Sequence, residues 1–127
     1  MKNASDSDIP EDVRSFIERR IDTVPHLEAL LLMSGDPLRS WTVEEIAARV
    51  YVPPEQSKAV LIDLSRHGLV RKARAGYVYD SASSDAPLVS NLELAYRRQL
   101  VAVTRFIHSR ASPAVREFAR AFKFKRD

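Results

Sequence analysis

The side chains of this 127-residue chain best suited to chemistry are three histidines, two adjacent glutamates and a set of scattered cations. His26, His67 and His108 stand far apart, and none has a second ligand three or four residues away, the spacing a helical metal site uses. His67 falls at the expected end of a helix, where an imidazolium is mildly favoured. Glu44 and Glu45 are neighbours, so on a helix they point in different directions, and Glu45 has a capping role of its own. The absence of cysteine excludes disulfides, thiolate zinc sites and cysteine nucleophiles together. With only 3 glycines there is almost no material for a phosphate cradle, and no serine elbow or dinucleotide turn occurs. The chain therefore reads as a non-enzyme, with no catalytic residues, no metal and no cofactor.

The cations are unevenly placed. Residues 1–36 hold 4 basic and 8 acidic side chains, residues 37–79 hold 7 and 4, and residues 80–127 hold 9 and 5. A basic body behind an acidic leader suits a polyanion partner. The bland alternative is a set of arginine-rich helices that are simply solvated. No apolar run approaches the ~18 residues needed to cross a bilayer, and Met1 to Pro10 has no apolar signal-peptide core. A cytoplasmic protein with no membrane partner is expected.

Which elements position these side chains can be read from caps and periodicity. Residues 1–10 form a flexible N-terminus, and Ile9 staples the first helix. Pro10, Glu11 and Asp12 open that helix, with Val13, Phe16, Ile17 and Ile21 on its apolar face, and it ends near Asp22. Thr23 caps a second helix through Met33, apolar nearly all round and so central. Ser34-Gly35-Asp36-Pro37 stops it. Leu38 to Trp41 is a short edge strand that pairs with a later hairpin. Thr42-x-x-Glu45 is a capping box, so a third helix begins there and buries Ile46, Ala47 and Val50. Val52-Pro53-Pro54 is a stiff turn, and Pro54 starts a fourth helix that buries Val60, Leu61 and Leu64. Gly68 ends it. A basic hairpin follows, with Ala75-Gly76 at its turn and Gly76 at positive φ.

Two short helices, a glycine stop and a basic hairpin are the order of parts in a winged helix-turn-helix. The fold class is mainly α (α+β), with a small β-hairpin wing and flanking N- and C-terminal helices. Thr42-Val43-Glu44-Glu45-Ile46-Ala47 and the ending Leu64-Ser65-Arg66-His67-Gly68-Leu69-Val70 resemble bacterial winged helix-turn-helix transcriptional regulators of the MarR-like kind, over residues 25–80. The resemblance implies a recognition helix whose N-terminal half meets base edges in a major groove. Gln56 would then read adenine, Ser57 a base or a phosphate, and Lys58 guanine or a phosphate. Arg66 joins this set, and the wing residues Arg71, Lys72 and Arg74 would lie on phosphates of double-stranded DNA. Glu55 and Asp63 cancel Lys58 and Arg66, so the helix itself is neutral.

Residues 11–80 are thus a winged helix-turn-helix domain with a leading helix, and residues 87–123 a C-terminal helical extension. Within the extension one long helix is expected from about Ser90 to Arg110, too apolar to stand alone. It would form a homodimer through Leu92, Tyr96, Leu100, Val103, Phe106 and Ile107, or else wrap over its own domain. Arg97, Arg98 and Arg105 would face water. Ser112-Pro113 would cap a last short helix. Two functions follow: a dimeric DNA-binding regulator, or a winged-helix adaptor that binds a protein partner.

Overall fold

The computed structural model describes residues 9–109, so the N-terminal leader and the last short helix expected after Ser112 lie outside the described residues. Within that range the order is α1 (Glu11–Arg20), α2 (Val24–Ser34), β1 (Ser40–Trp41), α3 (Val43–Val50), α4 (Pro54–Arg66), β2 (Val70–Lys72), β3 (Tyr77–Tyr79), α5 (Ala86–Arg98) and α6 (Leu100–Ser109). The three strands form one antiparallel sheet in the order β1-β3-β2, with Trp41 opposite Tyr77 and Arg71 opposite Val78. This is a mainly helical winged helix-turn-helix, and Leu38 to Trp41 supplies the expected edge strand.

α2 is the central element. Thr23 caps it, its hydroxyl accepting from the His26 amide, and Pro25 lies in its first turn. It touches α3, α4, β3, α5 and α6, which is why Leu27, Ala29, Leu30 and Met33 are all fully enclosed. α1 lays Val13, Phe16 and Ile17 inward, and Ile9 is buried just before it, as a staple requires. Each such large apolar side chain contributes roughly 1.5–3 kcal/mol by leaving water.

The C-terminal extension departs from expectation. It is not one long helix. α5 begins at Ala86, breaks at Gln99 (φ −131°, ψ 52°), and α6 continues beyond. The break lets both halves fold back onto their own chain: α5 packs on α1 and α2, and α6 on α2. Asn91 donates to Asp12 (3.1 Å), Tyr96 donates to Glu28 (3.0 Å), and Arg14 lies over the Phe106 ring (5.2 Å). Of the six residues expected at a dimer interface, Leu92, Val103, Phe106 and Ile107 are buried in this chain's own core. Tyr96 is half-buried, and Leu100 is exposed. Most of the apolar residues of α5 and α6 are thus covered by their own chain, while Leu94, Leu100 and Val101 stay exposed.

Two glycines frame the wing for different reasons. Gly68, just past α4, has φ 77° with open space where a side chain would go. Gly76 does not have the positive φ expected of it. A Cβ there would run into the Trp41 carbonyl, so the need is for close approach between the hairpin and β1. Backbone closes the loop, Ala73 N–H donating to Gly76 O at 2.7 Å.

Candidate nucleic-acid interface

The helix-turn-helix is built from local signals. The capping box is complete: the Thr42 hydroxyl accepts from the Glu45 amide (3.0 Å), and the Glu45 carboxylate accepts from the Thr42 amide (2.9 Å). That bond, together with Arg39, holds the Glu45 carboxyl below the usual carboxylate range. α3 ends at Tyr51, whose left-handed backbone (φ 61°) makes the sharp turn that the stiff Val52-Pro53-Pro54 run cannot make. Pro53 then serves as cap residue, its carbonyl accepting from the Gln56 and Ser57 amides, and α4 starts at Pro54.

Side chains anchor α4 at three points along its length. Near the start, the Ser57 hydroxyl donates to the Val43 carbonyl on α3 (2.8 Å). In the second half, Asp63 meets His26 Nε2 of α2 at 2.9 Å. At the end, His67 Nδ1 lies 3.4 Å from Arg20 of α1, which also pairs with Asp85 ahead of α5 (3.4 Å). Arginine only donates, so His67 Nδ1 accepts. Burial of Val60, Leu61 and Leu64 completes the attachment.

His26 is therefore not the isolated residue its sequence neighbourhood implies. Its partner stands 37 residues away, on α4. Thr23 Oγ1 lies 2.6 Å from its Nδ1, so the arrangement satisfying all groups has Thr23 donating to Nδ1 and Nε2–H donating to Asp63. Asp22, His26 and Asp63 do converge, with ligand atoms within 4.8 Å of one another, but both ring nitrogens of His26 already have partners. Hydrogen bonding accounts for the cluster.

The expected DNA-binding residues separate on this scaffold. Gln56 and Lys58 are exposed. Ser57 is not available to a duplex: it is fully enclosed, and its hydroxyl is spent on Val43. Arg66 is exposed and lies 3.4 Å from Asp63. Arg71, Lys72 and Arg74 all project from the wing into solvent, Lys72 reaching back over the Tyr77 ring at 5.2 Å. No acidic side chain occurs from Leu69 to Tyr79. Further cations stand beside α3, where Arg39 stacks over Trp41 (3.6 Å) with Arg49 at 5.5 Å. α4 also leaves Ala59 and Ile62 exposed, which the helical period applied to the buried positions makes legible in the sequence.

Elsewhere, two shallow grooves of about 470 and 370 Å³ share Leu31 and Tyr96 along α2 and α5. Burial, then the bond to Glu28, push the Tyr96 hydroxyl pKa up. No helix among the described residues is long and apolar enough to cross a membrane.

No family model and no curated protein matches this chain. Among solved structures it is similar to the crystal structure of the Mycobacterium tuberculosis MarR family protein Rv2887. The two are 21% identical with a TM-score of 0.54, over 95% of this chain and 87% of that one. At that identity the likeness is one of fold: this chain has a MarR-like winged-helix architecture.

Proposed function

We propose that the chain is a DNA-binding transcription regulator that acts as a homodimer on double-stranded DNA, in the cytoplasm of a bacterial cell. The observation that carries this reading is the wing: Arg71, Lys72 and Arg74 stand exposed beside a firmly anchored α4, with no acidic residue among them. α4 enters the major groove, and the wing lies on the adjacent phosphates. Three such phosphate contacts correspond to a salt slope of roughly −3 per protomer by counterion release. Duplex retention by the purified chain at low and moderate salt tests this. Changing Arg71, Lys72 and Arg74 together to Glu is expected to abolish retention at moderate salt; unchanged retention overturns the reading.

One winged helix holds a half-site weakly, and two joined by a dyad hold a whole site. Among the described residues, Leu94, Leu100 and Val101, between 45% and 64% exposed on α5 and α6, are available for that contact. Sedimentation equilibrium tests it, a monomer at tens of micromolar being the contrary result.

A second reading rests on the neutrality of α4, where Glu55 and Asp63 balance Lys58 and Arg66. In that reading the winged helix docks a protein partner. Sequence-selective retention of duplex DNA by the purified chain excludes it.

A further inference from the structure

The outward face of α4 is not the run Gln56-Ser57-Lys58. Successive helical residues are about 100° apart, and the buried Ser57, Val60, Leu61 and Leu64 mark the inner side. The opposite side is centred on Glu55, Ala59, Ile62 and Arg66, every one exposed. Gln56 and Lys58 fall on the two flanks, ~160° apart, and cannot both reach one groove floor.

Two residues at the centre are of unexpected type. Ile62 is a large β-branched side chain left 37% exposed on a helix otherwise well packed. Glu55 is a carboxylate with no hydrogen-bond or ion-pair partner among the described residues. The helix dipole accounts for a carboxylate in the first turn. It gives no account of Ile62, nor of the cations that surround the pair: Lys58 on one flank, Arg66 at the far end, and the wing. Phosphates line the edges of a major groove, while its floor offers amino groups, acceptors and thymine methyls. Cations at the rim with an acceptor and two apolar groups at the centre match that layout.

We propose that Glu55, Ala59 and Ile62 are the residues that select sequence. The Glu55 carboxylate accepts from the amino group of a cytosine, and the Ala59 and Ile62 methyls pack on the methyl of a thymine. Ala59 and Ile62 stand about 6 and 10 Å along the helix axis from Glu55. A helix lying in the major groove runs oblique to the duplex axis, so at about 3.4 Å per base-pair step the thymine lies at most about three pairs from the cytosine. The inference rests on the DNA-binding reading above and goes beyond it by naming the half-site chemistry.

Selection from a pool of random duplexes, using the full chain, tests it. Glu55→Gln is expected to lower the preference for cytosine at one pair by about tenfold and to move it toward adenine, which glutamine pairs bidentately. Ile62→Asn is expected to lower the thymine preference at a pair within about three of that cytosine by about five- to tenfold, other positions staying unchanged. Glu55 is exposed and Ile62 partly so, and both variants are expected to stay folded with only slightly lowered melting temperatures. If both variants select the wild-type motif with wild-type preferences, while Arg71→Glu with Lys72→Glu still weakens retention of every duplex, this inference is overturned and the DNA-binding reading stands. If the wild-type chain retains no duplex at all, the reading itself fails and takes the inference with it.

Discussion

α4 and the wing follow one another in sequence, yet they are held and charged in opposite ways. α4 is bolted to three other helices, through Ser57 to α3, Asp63 to α2 and His67 to α1. Its own charges cancel, and two of them, Asp63 and Arg66, already face each other. The wing hangs on short strands and one close backbone approach, and it carries three exposed cations without a counter-charge. A fixed neutral helix suits discrimination, because base contacts need precise placement. A charged hairpin suits attraction, because phosphate contacts tolerate looseness and act on any sequence. The proposed division of labour gives changes in α4 and changes in the wing different expected outcomes.

The largest effect belongs to Gly76. An alanine there meets the backbone of Trp41, which no rotamer change relieves, so β1 and β3 must part. Gly76→Ala is expected to lower stability by about 3 kcal/mol in a denaturant titration. Gly68→Ala has free space and only the left-handed backbone to contend with, and about 1 kcal/mol is expected. If the wing supplies affinity and not choice, Gly76→Ala weakens retention of all duplexes alike.

These two glycines show what was legible in the sequence. Signals carried by adjacent residues transfer directly: the Thr42–Glu45 box, the Pro54 start and the Gly68 stop all appear in the structure. Signals that depend on distant partners do not. Gly76 reads from the sequence as a turn glycine at positive φ; its constraint comes instead from the backbone of Trp41, in a distant strand. Ser57 was placed on DNA because it stands between Gln56 and Lys58, although a helix turns each of the three to a different side. Leu92, Val103, Phe106 and Ile107 read as a partner contact or as a helix wrapped over its own domain, because nothing local reveals the break at Gln99. His26 looked isolated because Asp63 lies on another helix.

Loosening α4 without touching its outward face is the next largest perturbation. His26→Ala removes the bond to Asp63 and the packing of a buried ring, and a loss of about 2 kcal/mol is expected. Ser57→Ala strips the Val43 carbonyl of its partner, with a loss of about 1 kcal/mol. Both are expected to flatten base preferences while leaving the salt slope near the wild-type value. A reduced salt slope with intact base preferences would reverse the assignment of roles between helix and wing.

The smallest effect tests the platform beneath α4. Val43, which receives the Ser57 hydroxyl, is the first residue of α3, and the Thr42–Glu45 box sets where α3 begins. The Glu45 carboxyl is held below its ordinary value chiefly by the Thr42 amide. A carboxyl whose folded pKa lies below its unfolded one contributes stability above the unfolded value of about 4.3 and loses it as pH falls through the folded value. Glu45 is exposed to solvent, so screening keeps the effect small. Glu45→Gln retains an acceptor for the Thr42 amide but does not titrate. The wild-type chain is thus expected to melt slightly above Glu45→Gln near neutral pH, the gap closing as pH falls through and below the ordinary glutamate range. Melting temperatures of the two across that range measure it, and taking their difference removes every other carboxyl. A gap that stays constant would mean that the ionised carboxylate adds nothing beyond the shape of the cap, and that the base of α4 is as insensitive to charge as its outer face is neutral.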